Sequence, residues 1–271
     1  TSVIAALQSA QVGALSTAQV VALSTNQVRA LSTAGVSNLT TAQVVSLSTE
    51  QAAALSSGQI GALSTTSIAA LETADLGALG TGAIAALKTH QVQALTTGQI
   101  AALSTLQAAT LNSAQIGALS TASIVALETA DLAVIGTAAI AGLSSSQIAA
   151  LTTNQVANLS TNQIGSLKTA AITSLTTNQI VALSSNQIAT LSSGQVVAMS
   201  SSTIGAIETA DISALKTSVI ASLQSAQVAA LSTGQVVAMS TNQVRALSTG
   251  SVNNLSTAQV VSLTTDQAGA L

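Results

Sequence analysis

One feature limits this chain more than any other: it repeats every eight residues without a break. Stepping by eight from Leu7 marks 34 positions, ending at Leu271, and all are Leu except Ile135, Met199, Ile207 and Met239. Two residues after each mark stands Ser or Thr. Five after it stands Val, Ile, Leu or Ala. The consensus octad is L-S/T-T-x-Q-V/I-x-A, and the chain reads as a single continuous array, residues 1–271, of 34 such octads. Repeats come before any other inference about fold. A continuous helix cannot carry this one, because its apolar stripe would drift about 80° per octad, whereas supercoiling absorbs only about 20° per heptad. The backbone must break in every octad.

A short helix plus a turn, or a short strand plus a corner, would meet that demand. The helix has a specific cause. Ser16, Thr17, Ala18 and Gln19 form S-x-x-Q, a capping box in which the Ser oxygen and the Gln side chain satisfy each other's backbone N–H groups. Leu15 before the cap and Val20 at the fourth helical position then make a hydrophobic staple. The variation follows the chemistry: where the cap position is Ser or Thr, Gln stands three later in 17 of 22 octads, and otherwise in 4 of 11. In Glu72-Thr73-Ala74-Asp75 the Thr is expected to cap instead, placing Asp75 in a first turn, where the helix dipole favours an acid. Helices of six or seven residues are marginal alone, so they must pack on one another. Val20 and Leu23 share a face, and neighbours about 8–10 Å apart would leave room only for small aliphatics. The expectation is therefore an all-α solenoid of short N-capped helices, one per octad. The alternative is a β-solenoid built on Val, Ile and Thr.

A longer period lies above the octad. TSVIAALQSAQV at Thr1 returns as TSVIASLQSAQV at Thr217, an offset of 27 octads (217 − 1 = 216), and residues 1–55 match 217–271 at 44 of 55 positions. A cassette of Glu-Thr-Ala-Asp followed by Leu or Ile occurs at Glu72, Glu128 and Glu208. Such nesting points to growth by block duplication. Repeat sequence opens directly at Thr1 and closes at Leu271, so we expect no signal peptide within the chain and a longer parent around it.

Composition now narrows the function. Hydrophobic residues make up 48%, charged residues 5% and aromatics 0%. Disordered chains are poor in apolar residues and rich in charge, so disorder does not fit. A net charge of -3 without aromatics gives neither the basic footprint nor the stacking platform of a nucleic-acid binder. Ser and Thr interrupt every apolar run well short of a membrane span, and no aromatic girdle exists for a barrel.

Candidate chemistry is thin. His90 is the sole histidine, and no one Ser is singled out to partner it, so no catalytic residue and no enzyme activity are expected. A metal site needs clustered His, Cys or carboxylates, and no metal or cofactor is expected. The pairs Glu72/Asp75, Glu128/Asp131 and Glu208/Asp211 could bind calcium only if stacked, and their spacings of seven and ten octads oppose that. Helix-dipole complementation accounts for them better. Arg29, Lys88, Lys168, Lys216 and Arg245 are too scattered for a patch. The Thr rank (Thr17, Thr25, Thr33 and successors) suggests an ice-binding face as an alternative, though capping explains it more simply.

LTTNQIVAL (Leu175–Leu183) and LSTAQVVAL (Leu15–Leu23), with ALETADL at Ala70–Leu76 and Ala126–Leu132, resemble repeat tracts of very large bacterial surface proteins. These are described as adhesins or haem-utilisation-or-adhesion proteins. The resemblance implies an extracellular or cell-surface segment, structural or adhesive, acting as stalk, spacer or self-assembling filament. Its partners would be copies of itself, end to end or side by side. AQVVAL is also similar to the first helix of TAL-effector repeats, but an octad has no room for their base-reading loop.

Overall fold

The computed structural model describes residues 2–271, with the side chain of Ser2 left aside. Among the described residues it contains 34 α-helices of four to six residues and no strand, one helix per octad. The chain divides into two compact units, Thr1–Gly142 and Leu143–Leu271. The first unit holds the helices from Ser2–Ala5 to Thr137–Ile140, and the second those from Ser145–Ala150 to Thr265–Ala268.

Within each unit every helix packs on the third helix before it and the third after it. Thr25–Ala30 lies under Thr49–Ala53, which lies under Thr73–Ala78, which lies under Thr97–Ala101. One coil is therefore three octads. The second unit follows the same rule, as in Ser193–Ala198 against Thr217–Ser222.

The corners need no special residue. At Leu31–Ser32 the backbone runs through φ −58°, ψ 136° and φ −67°, ψ 152°, close to polyproline II geometry. No described residue has positive φ. An extended Leu-Ser pair, open to any L-residue, thus replaces the glycine that ends many helices. The outgoing helix starts where the box dictates: Gln19 N–H donates to Ser16 Oγ at 3.2 Å, and Ser16 N–H donates to Gln19 Oε1 at 2.8 Å.

Two apolar residues per octad make the core. From Val12 to Val244 the residue at the fourth helical position is at most 1% exposed. The Leu marks are buried from Leu31 to Leu247. A coil thus rests on about six small aliphatics, each worth about 1.5–3 kcal/mol when fully buried.

One expectation is corrected. In the Glu72 octad Thr73 does not take over as cap: the helix is Thr73–Ala78, and Glu72 occupies the cap position without a side-chain cap bond. Glu128 and Glu208 do the same. Coil packing fixes the start of each helix whether or not a good cap stands there. Lys88 is a further weak cap, also making no side-chain cap bond, although Gln91 Oε1 still accepts from its N–H at 2.9 Å. Lys88→Ser restores an acceptor and removes a cation from the positive helix end, so stability should rise by about 1 kcal/mol. Urea unfolding checks this, and an unchanged midpoint would refute it.

Candidate functional site

The residue that organises the molecule is the glutamine at the third helical position. All 21 of these glutamines accept the cap residue's N–H on Oε1, at 2.7–3.0 Å. From Gln43 onward they are also buried, and where the coil before belongs to the same unit Nε2 reaches into it. Gln99 Nε2 donates to the carbonyls of Ile68 and Leu71, both at 2.8 Å. Gln43, Gln107 and Gln179 bond carbonyls at the same offsets of 31 and 28 residues. Those carbonyls lie where a helix ends and the chain turns the corner, so helix geometry leaves them short of donors. A single carboxamide thus caps its own helix and closes a corner of the neighbouring coil.

The first glutamines confirm the division of labour. Gln11, Gln19 and Gln27 stand too near the start of the chain for any corner to lie at their offset. They keep the Oε1 bond at 2.7–2.8 Å and are not buried. The bridge escapes a sequence reading of S-x-x-Q, which explains the glutamine by the cap alone. One signal was available: a capping box accepts Glu or Gln, yet no octad has Glu at this position.

The outer surface is short and polar. The cap residue and the first two helical residues are mostly exposed in each octad. Thr25, Thr49, Thr73 and Thr97 begin four successively stacked helices, and all four are exposed, forming a file of hydroxyls. In the second unit two hydroxyls at the same helical position bond across the coil boundary: Ser145 Oγ donates to Ala170 O at 2.9 Å, and Ser193 Oγ to Ser218 O at 3.1 Å.

His90 sits exposed at the second position of Thr89–Ala94. Lys88, Lys168 and Lys216 are cap residues, while Arg29 and Arg245 lie in last turns. Glu50 accepts from Ser48 Oγ at 2.9 Å, and its own backbone N–H and Ser48 hold its carboxyl below the usual range. Among the described residues no group of three His, Cys, Asp or Glu is placed to hold a metal. Nor is any helix long and apolar enough to cross a membrane. A shallow, open depression of about 430 Å³ is lined by Thr33, Ser57, Gly58, Gly61, Ala62, Ala86 and Lys88, and it brings no catalytic pair together.

The acidic pairs of the first unit do not stack. Glu72 and Glu128 stand seven octads apart (128 − 72 = 56), which is not a multiple of three octads, so they lie on different sides of the coil.

A family model described as the ALTTAQ repeat matches residues 4–41, 36–65, 68–105, 93–121, 124–161, 156–201, 204–241 and 236–271. The chain belongs to the ALTTAQ repeat family. The six letters of the ALTTAQ description correspond to the structural unit found here: a helix end, the corner Leu, the cap, the first two helical residues and the bridging Gln. Ala94-Leu95-Thr96-Thr97-Gly98-Gln99 departs from it only at Gly98. No curated protein matches the chain.

Proposed function

We propose that this segment is a structural spacer, a stalk or filament-forming stretch of a bacterial cell-surface or extracellular protein. The observation that carries the reading is the repeated glutamine bridge. Because the side chain that caps a helix also closes the coil before it, the stacking contact is written into the Gln-bearing octads themselves. Length can then grow by adding octads, with each repeat stabilised mainly by its neighbours. The longer duplication agrees, since its 27 octads make nine coils of three and a copied block keeps the phase of the coil. The resemblance to repeat tracts of large surface proteins supports an extracellular or cell-surface location, and the partners it implies are octads of the same kind. Small-angle scattering of the 271-residue chain tests the reading. A spacer should give an elongated particle with a cross-section independent of length, and a compact globule would refute it.

A further inference from the structure

Six of the eight acidic residues lie in the three Glu-Thr-Ala-Asp cassettes. In each cassette the Asp stands where the bridging glutamine stands elsewhere, and Asp75, Asp131 and Asp211 are 1–4% exposed. By the glutamine offsets, the corner carbonyls belonging to Asp75 are those of Val44 and Leu47. Those of Asp131 are Ile100 and Leu103, and those of Asp211 are Ile180 and Leu183. A carboxylate only accepts, so it cannot replace Nε2 as donor to them.

What the carboxylates do instead is visible. Asp75 Oδ1 accepts from Thr49 Oγ1 at 2.9 Å, and Asp211 Oδ1 accepts from Ser185 Oγ. Both hydroxyls begin the helix one coil earlier. The second oxygens of Asp75 and Asp131 are buried with no hydrogen-bond partner. A buried, unpaired charged oxygen is costly, and protonation turns it into the missing donor.

We propose that the two cassettes with an unpaired oxygen are proton-operated joints: on acidification Asp75 and Asp131 each take a proton and donate it to a corner carbonyl of the preceding coil, tightening that coil contact. Burial, and then the neighbouring Glu128, push the Asp131 carboxyl above the usual range. Charged surroundings are sparse. Glu72 stands on the helix of Asp75 and Glu50 on Thr49–Ala53 beneath it, while Thr97–Ala101 above brings none. Asp131 has Glu128 on its own helix and no charge on Thr105–Ala108 beneath. A carboxyl raised in the folded state stabilises fully below its unfolded pKa, and that stabilisation is lost as pH rises through the folded pKa. Glu50, held low, acts oppositely: its contribution is lost as pH falls, so it is neutralised in the test.

The experiment is thermal unfolding of the full chain carrying Glu50→Gln, from pH 7 down to pH 4. It is repeated with Asp75 and Asp131 both changed to Gln, and again with both changed to Asn. The Glu50→Gln chain should gain several degrees in Tm toward pH 4. Both double variants should start higher at pH 7 and stay flat. A flat or falling Tm in the Glu50→Gln chain, or an equal rise in the double variants, would overturn the proposal. So would a rise at pH 7 on adding millimolar calcium or sodium chloride that the Asn variant lacks, since a cation would then be filling the joint.

Discussion

Gln99→Ala should destabilise its coil by about 3 kcal/mol, several times the cost of Gln19→Ala. The two side chains cap their helices alike, with Oε1 at 2.8 Å from the cap N–H in each. They differ in the second atom: Nε2 of Gln99 serves two corner carbonyls 28 and 31 residues earlier, whereas Gln19 has no such corner. Losing a cap costs about 1 kcal/mol, and the Leu71 carbonyl left without its donor adds about 1–3 kcal/mol, whereas the Ile68 carbonyl keeps the N–H of Leu71. In a solenoid the damage is local, so the sensitive measurement is native-state hydrogen exchange. Amides around Ile68–Leu71 and Thr96 should open about 100-fold more readily in Gln99→Ala, at about 1.4 kcal/mol per tenfold. Gln99→Glu should do no better at neutral pH, because it keeps the cap acceptor but loses the donor. Equal losses at positions 19 and 99 would reduce the glutamine to a cap and leave no bridge.

This asymmetry also shows which parts of the fold could be read from the residues. The octad required a break every eight residues, S-x-x-Q placed the helix start, and Val20 with Leu23 placed the buried face. Each is a local matter of periodicity or capping. The bridge is not local. Its carbonyl partners are backbone atoms a coil away, and backbone carbonyls carry no sequence signature. Only the exclusion of Glu from the third position hinted that the far atom of this side chain must donate. The Asp cassettes were legible as acids in a first turn but not as failed bridges. Seeing that requires knowing what the position does in the other octads.

The number of octads per coil was hidden for a related reason: nearly identical octads pair equally well at any offset. It shows only where octads deviate together. At the fourth helical position, otherwise Val or Ile, Leu occurs only at Leu76 and Leu132, while Ala occurs at Ala52, Ala108 and Ala268. Leu76 follows Ala52 by three octads, and Leu132 follows Ala108 by three, one coil in each case. The pairs are themselves seven octads apart, so one duplication accounts for both. Their arrangement is still that of volume exchanged between stacked neighbours.

That exchange makes the second large effect. Helix Thr49–Ala53 stacks under Thr73–Ala78, and Ala52 and Leu76 are both fully buried. Leu76→Ala would leave two alanines one above the other, with a void that neither short helix can close without breaking its bridges. The expected loss is about 4 kcal/mol, in the upper part of the range for truncating a buried Leu. Ala52→Leu alone should also destabilise, by about 1–3 kcal/mol, because Leu76 already fills the space. Together the two substitutions move the same carbon atoms down one coil and conserve volume, so the double variant should return to within about 1.5 kcal/mol of the parent. A double-mutant cycle by urea unfolding isolates the coupling, which should favour the double variant by well over about 1 kcal/mol. Additive losses would mean that the two side chains do not share a space. The same space limit explains a core without Phe, Tyr or Trp: each position holds one small aliphatic between two others, and a ring there would have to displace a neighbour in the next coil.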